Sequence, residues 1–151
     1  MSTLHRFASA RTIANAVLRG ETSAEEITRA ALDRVAEQDG AIGAFTDITA
    51  ERALEEAKAV DRARAAGAAL GPLAGVPYAV KNLYGVTGLA TRAGSKINAA
   101  DPPAHADALL VSRMKAAGAV LLGALNMGEY AYDFTGENAH YGPSRNPLDP
   151  T

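Results

Sequence analysis

The chain has 151 residues, of which 48% are hydrophobic and 21% charged, and it contains no cysteine. Fifteen basic and 17 acidic side chains give a net charge of −2, which excludes the strongly basic surface that binds nucleic acid or anionic membranes. The lack of cysteine excludes disulfides, zinc–thiolate and iron–sulfur sites, and a thiol nucleophile. The apolar content is sufficient for a buried core, so we expect a folded protein.

Helix signals dominate the first 70 residues. Ser9 is placed to cap a helix over 10–19, with Gly20 just past its end. Ser23 and Glu26 have the spacing of a capping box, which predicts a second helix that runs to about residue 38.

A short strand and a third helix are expected next. Residues 45–48 are predicted to form the strand, and Thr49 is the expected cap of a helix over 50–66 that Gly67 closes.

The composition changes near residue 70, because all seven prolines and ten of the fourteen glycines lie beyond it. A strand over 76–81, a helix over 106–117 and a nearly all-apolar strand over 119–124 predict a right-handed parallel unit. The long connection over 82–105 is typical of a functional segment. We therefore divide the chain into an N-terminal helical segment, 1–70, and an α/β part, 71–151.

Lys81 ends the first strand of this unit. A lysine at the end of a strand often only reaches solvent where the sheet stops. However, ligand sites of open α/β sheets form at the carboxyl ends of their parallel strands. A desolvated lysine there loses its proton readily and can act as a base. The pattern alone leaves both interpretations open.

Four segments of the second part resemble, in the same order, segments of one known family. They are residues 71–82 (GPLAGVPYAVKN), 91–95 (TRAGS), 116–130 (AAGAVLLGALNMGEY) and 141–147 (YGPSRNP). The first looks like the lysine-bearing segment of the amidase signature family, and the second like its Thr/Gly/Ser turn. The third is similar to its helix-to-strand passage, and the fourth to the approach to its serine-rich core. Residues 10–70 resemble the family more loosely.

The resemblance implies an α/β fold, with a mixed sheet flanked by helices and preceded by N-terminal helices. Within the family, residues 81–84, 93–98 and 126–132 look most like amidases of the carboxybiuret-hydrolase type. The A-type subunits of glutamyl-tRNA amidotransferases are the next most similar group.

The resemblance also implies a Ser–cis-Ser–Lys triad in which Lys81 is the base. A neutral Lys81 would take a proton through the bridging serine, and the nucleophilic serine would attack an amide carbonyl and form an acyl-enzyme. This requires the lysine pKa to fall by about 2.5–3 units from about 10.4, which burial away from acidic groups supplies. Asn82 stands where many relatives carry aspartate, so one negative charge is missing beside Lys81.

Both serines of the triad are expected outside this sequence, because the resemblance puts the serine-rich segment just after Thr151. Ser95, Ser112 and Ser144 lie in no matching motif, and Ser144 is expected in a turn. We therefore expect this chain alone to be inactive.

A run of residues after the last strand is the expected substrate wall. By resemblance, Met127, Ala131 and Tyr132 are the predicted substrate-binding residues. The alternative for this run, from Met127 to Phe134, is core packing, since Tyr130, Tyr132 and Phe134 place an aromatic ring at every second position.

Two of the three charged residues near these motifs have two interpretations. Arg92 and Lys96 are candidates to bind a substrate carboxylate, but solvated loop charges are the simpler expectation. Glu129 is expected to brace the loop by hydrogen bonds.

Three functions follow from the sequence. The first is the N-terminal part of an amidase that acts on a small amide or urea-like substrate, without cofactor or metal. The second is the A-type subunit of a glutamine-dependent amidotransferase, and the third is a non-catalytic α/β binding or scaffold protein. The expected partners are a small helical subunit or a second copy of the chain. A cytoplasmic location is expected, since no signal peptide or membrane span is visible.

Overall fold

The computed structural model describes residues 8–149, so Thr151 lies outside the described part. The chain divides into two compact units, each assembled from separate stretches. The first holds the described residues up to Asp33, with Thr49–Tyr78 and Arg113–Leu122. The second holds Arg34–Ile48, Ala79–Ser112 and the described residues from Gly123 onward. The division of the sequence at residue 70 stays a prediction.

The first helix has the predicted bounds. Helix α1 spans Ala10–Arg19, and the Ser9 side chain accepts a hydrogen bond from the Thr12 N–H at 3.1 Å. Gly20 ends it in the left-handed conformation, with φ of 71°. Both local signals are therefore confirmed.

The second helix begins as predicted and ends later. Helix α2 spans Ala24–Ile42, and Ser23 and Glu26 form the reciprocal capping box with two bonds of 3.0 Å. The predicted end before Gly40 is wrong, because a single glycine weakens a helix by only about 1 kcal/mol. The helix stops at Gly43, whose φ of 67° breaks the helical path.

Three strands form one mixed sheet. They are β1 (Phe45–Ile48), β2 (Pro77–Lys81) and β3 (Val120–Leu125), in the order β1-β3-β2. Strand β1 runs antiparallel to β3. Strand β2 runs parallel to β3. The Val120 N–H donates to the Val76 carbonyl where both strands begin, and the Asn82 N–H donates to the Leu125 carbonyl where both strands end. Strand β3 lies in the middle and is almost wholly buried, as its apolar sequence predicts.

The third helix, α3 (Ala50–Ala65), lacks the predicted side-chain cap at Thr49. The Thr49 hydroxyl instead donates to the Leu121 carbonyl at 3.2 Å, and the Thr49 N–H donates to the Leu122 carbonyl at 2.8 Å. The threonine therefore extends the pairing of β3, which a local capping signal cannot reveal.

The fourth helix, α4 (Leu109–Ala116), begins three residues later than predicted. The Asp107 carboxylate accepts hydrogen bonds from the Thr87 N–H and hydroxyl at 2.9 Å. The Ala108 N–H donates to the Gly85 carbonyl at 2.8 Å. These contacts hold residues 106–108 in a non-helical path. Across the described residues, every helix is either too short or too polar to cross a membrane.

Candidate active site

Lys81 is the last residue of β2 and lies at the carboxyl end of the parallel pair β2–β3. Its side chain is exposed in this structure. The strand end is thus where the sequence predicts it, whereas the desolvation that a base requires is not provided by the residues described here.

Asn82, the next residue, is only 2% exposed, and both the nitrogen and the oxygen of its side-chain amide form hydrogen bonds. Its Nδ2 donates to Thr46 Oγ1 at 2.9 Å, and its Oδ1 accepts from the Gly94 N–H at 3.1 Å. Its backbone N–H donates to Leu125 and its carbonyl accepts from Ala93. The end of β2 is therefore tied to β1, to β3 and to the loop of residues 93–95.

Gly94 allows this loop to approach closely. Its φ is 71°, and a Cβ there would lie 2.7 Å from the Met127 carbonyl oxygen and 3.0 Å from Asn138 Nδ2. A side chain would thus be both strained and obstructed, so only glycine fits.

Asn138 uses the full hydrogen-bonding capacity of its side chain. Its Nδ2 donates to the carbonyls of Gly94 and Met127, both at 2.7 Å. Its Oδ1 accepts from the backbone N–H groups of His140 and Tyr141 at 2.7 and 2.9 Å. Because an amide has two donors and two acceptor lone pairs, this side chain is saturated.

A third asparagine follows β3 directly. Asn126 is 8% exposed, and its Nδ2 donates to the Gly142 carbonyl at 2.9 Å while its Oδ1 accepts from the Met127 N–H. We call Asn82, Asn126 and Asn138 the asparagine platform. Together they fix the loop of residues 93–95, the turn after β3 and the segment of residues 138–142.

Three non-glycine residues in the segments around the asparagine platform are in the left-handed conformation. Ala93, Tyr130 and Ala131 have φ values of 50°, 52° and 59°. The Tyr130 N–H donates to the Ala93 carbonyl at 2.8 Å, so two of the strained positions are bonded to each other. Such residues cost about 1–3 kcal/mol each and cluster at functional sites.

The predicted substrate-binding residues differ in exposure. Met127 is 3% exposed and packed, whereas Tyr132 is 91% exposed. Tyr130 and Phe134 are also exposed among the described residues, and the choice between core packing and a substrate wall stays a prediction for the three aromatic residues. Tyr132 lies on an open groove of about 490 Å³. Its lining consists of Glu129, Tyr130, Tyr132, Asp133, Glu137, Asn138, Ala139 and His140.

Glu129 braces this loop as predicted. A hydrogen bond from the Ser95 hydroxyl lowers the pKa of the Glu129 carboxyl, and His140 at 3.2 Å lowers it further. Ser95 is fully buried and also accepts a bond from the Ile97 N–H at 3.2 Å. Ser95 is therefore a structural residue in this chain.

Arg92 is not the solvated loop charge that the sequence suggests. Its guanidinium lies 3.0 Å from Asp47 on β1 and 5.8 Å from the centre of the Tyr141 ring. Lys96, by contrast, is exposed as expected.

Sequence reasoning did not identify the asparagine platform. The available signal is that Asn82 follows the half-buried strand β2 and Asn126 follows the buried strand β3. Among the described residues, no group of three or more His, Asp or Glu side chains is placed to hold a metal ion.

Comparison with known proteins identifies the family. The amidase family model matches residues 26–151. AtzE, the 1-carboxybiuret hydrolase subunit of Pseudomonas sp. (strain ADP), is 58% identical over 91% of this chain and 30% of its own length. The A-type subunit of the glutamyl-tRNA(Gln) amidotransferase of Thermobifida fusca (strain YX) is 48% identical over 93% of this chain and 28% of its own.

Solved structures agree. A structure described as an unexpected vestigial protein complex that reveals the evolutionary origins of an s-triazine catabolic enzyme has a TM-score of 0.89 and 58% identity. It covers 91% of this chain and 30% of that chain. The native peptide amidase of Stenotrophomonas maltophilia has a TM-score of 0.84 and 31% identity, over 98% of this chain and 31% of its own. This chain spans about 30% of the length of the curated relatives it matches, and it belongs to the amidase signature family.

Proposed function

We propose that this chain forms the lysine-bearing part of an amidase that hydrolyses a C–N bond in a small amide or urea-like substrate. The observation that carries the proposal is the position of Lys81 at the carboxyl end of a parallel strand, beside the rigid asparagine platform. The relatives named above as a peptide amidase and a carboxybiuret hydrolase support the reaction class.

In the proposed reaction Lys81 acts as the base of a Ser–cis-Ser–Lys triad. The lysine takes the proton of the nucleophilic serine through the bridging serine as that nucleophile attacks the carbonyl carbon. The proton passes to the leaving nitrogen as the C–N bond breaks, and water then hydrolyses the acyl-enzyme. A lysine that acts as a base must be removed from water, so that its amine loses a proton readily. Since Lys81 is exposed in this structure, we propose that residues of the complete protein outside this chain cover its amine.

Met127, Ala131 and Tyr132 are the proposed wall of the substrate pocket. The left-handed conformation of Ala131 and the exposure of Tyr132 support this role, because both are typical of residues held for function rather than for packing.

The test is Lys81→Ala in the complete protein, with release of ammonia or amine as the readout. We expect a loss of kcat of at least about 1,000-fold, since the base that activates the nucleophile is removed. Lys58→Ala is the matched control, because it removes a lysine of α3 whose amine lies 2.9 Å from the exposed Glu55. Activity of Lys81→Ala within a few-fold of the unmutated protein would contradict the proposal.

A second candidate is the A-type subunit of a glutamine-dependent amidotransferase. The 48% identity to such a subunit favours it. A glutaminase assay with and without an ammonia acceptor separates the two: acceptor-dependent consumption of glutamine supports the amidotransferase, and turnover of small amides without glutamine supports the hydrolase.

We also propose that the complete protein assembles with a small helical subunit or with a second copy of itself. A relative named as a subunit and a structure described as a protein complex support this. Light scattering coupled to size-exclusion chromatography tests it, and a strictly monomeric complete protein would contradict it.

A further inference from the structure

Asn82 differs from the other two asparagines of the platform because it is the residue that follows Lys81 in the sequence. Asn82 follows the last residue of β2 and is buried, whereas Lys81 is exposed. The peptide between the two residues is held at β3, because the Asn82 N–H donates to the Leu125 carbonyl at 3.0 Å. Whatever fixes Asn82 therefore also limits the directions in which the Lys81 side chain leaves the sheet.

The hydrogen bonds of Asn82 continue beyond its own neighbours. Gly94 accepts from Asn138 through its carbonyl and donates to Asn82 through its N–H. Asn138 in turn donates to the Met127 carbonyl. A continuous line of bonds of 2.7–3.1 Å thus joins the residue beside Lys81 to the proposed substrate wall.

The charged groups on the elements around Asn82 leave its surroundings close to neutral. Asp47 on β1 and Arg92 before the loop neutralise each other in a 3.0 Å ion pair. Glu129 is bonded to Ser95 and His140, and Lys96 is exposed. The residues of β3 nearest to Asn82, Ala124 and Leu125, carry no charge.

We infer that Asn82 is a positioning residue for Lys81, which holds the end of β2 against the 93–95 loop with an uncharged amide. This inference rests on the proposed role of Lys81. An aspartate would retain the acceptor for the Gly94 N–H but would place a negative charge one residue from the base. That charge favours the protonated form of the lysine.

The experiment is the pH dependence of kcat/KM for Asn82→Asp in the complete protein. We expect the limb that reports the base to move up by roughly half to one pH unit, with activity recovering at alkaline pH. Asn138→Asp is the matched control, because it changes an equally buried amide of the same network that reaches Lys81 only through Gly94 and Asn82. We expect it to lower stability without moving the limb.

A purely structural role makes a different prediction. Equal loss of activity by Asn82→Asp at every pH, or the same shift in Asn138→Asp, would overturn the inference. If Asn82→Asp does not fold, two variants of Thr46 test the inference instead, since the Thr46 hydroxyl is the acceptor for Asn82 Nδ2. Thr46→Val should lower kcat about 3- to 10-fold with KM within two-fold, and Thr46→Ser should restore it; unchanged kcat in Thr46→Val would overturn the inference. Failure of the proposed function is separate, because it is read from Lys81→Ala alone.

Discussion

Side chains that satisfy distant backbone groups hold much of this molecule together. The asparagine platform does so in the second unit, and Glu56 does so in the first. Glu56 lies on α3 and is 9% exposed, and its Oε2 accepts from the buried Leu121 N–H of β3 at 3.1 Å. Its Oε1 lies 2.9 Å from Arg52 Nε. The sequence places Glu56 on a helix rich in charges, so no local pattern distinguishes it from its exposed neighbours.

Replacement of Glu56 should therefore be costly. Glu56→Ala removes the acceptor of the buried Leu121 N–H and the carboxylate that lies 2.9 Å from Arg52 and 3.7 Å from Lys115. We expect the free energy of unfolding to fall by about 2–3 kcal/mol, measured by urea denaturation. Glu55→Ala is the control, because its exposed pair with Lys58 is worth about 0–1 kcal/mol. Similar losses in the two variants would contradict this account.

The Glu129 carboxyl predicts that the local stability of its loop falls at acid pH. Its pKa is lowered in the folded chain, first by the Ser95 hydrogen bond and then by His140. The stabilisation is complete above the ordinary glutamate pKa of about 4.3 and is lost as pH falls through the lower folded value. We expect the Tyr130 amide to lose hydrogen-exchange protection over that range, after correction for intrinsic exchange.

Two variants test the origin of this acid response. Glu129→Gln should abolish the pH dependence at Tyr130, while Glu51→Gln, an exposed change on α3, should leave it intact. A pH dependence that persists in Glu129→Gln would assign the effect to another group.

At the scale of elements, a side chain of helix α3 caps the beginning of helix α2. The Asp61 carboxylate on α3 accepts from the Ala24 N–H at 2.8 Å and the Glu25 N–H at 3.0 Å, at the beginning of α2. The local capping box of α2 is thus supplemented by a tertiary cap. A carboxylate at this end also interacts favourably with the helix dipole.

Removal of this cap at the start of α2 should lower the stability of the folded chain. We expect Asp61→Ala to lower the free energy of unfolding by about 1–2 kcal/mol, because two N–H groups at the helix start lose their acceptor. Circular dichroism during denaturation measures it. Asp33→Ala, at an exposed position within α2, should change stability by less than about 0.5 kcal/mol; an equal effect would contradict the capping role.

Local signals predicted the elements well where the deciding contacts are local. Ser9, the capping box of α2 and the apolar run of β3 all concern residues within a few positions of each other. The predicted cap at Thr49 and the predicted start of α4 are wrong, because the partners that decide them, Leu121 and Gly85, lie far along the chain. For the same reason the position of Lys81 was predictable, whereas the bonds of Asn82 to Thr46 and Gly94 were not.

At the scale of the whole molecule, the family is established and the activity is a proposal for the complete protein. We expect the 151-residue chain alone to release no ammonia from primary amides, ureas or glutamine, because it carries the proposed base without serines in matching motifs. An ammonia assay over such a panel measures this. Turnover by the chain alone that Lys81→Ala abolishes would contradict the expectation.

The sheet also has a consequence for synthesis on the ribosome. Strand β1 pairs Phe45 with Leu125, which is translated 80 residues later. At about 5–20 residues per second, the nascent β1 waits about 4–16 s for its partner. Helices α1 and α2 depend on nearer contacts and are free to form in that interval, while β1 keeps an unpaired edge. The middle strand of the sheet is the last of the three to be made, so we expect the sheet to close only when β3 has left the exit tunnel.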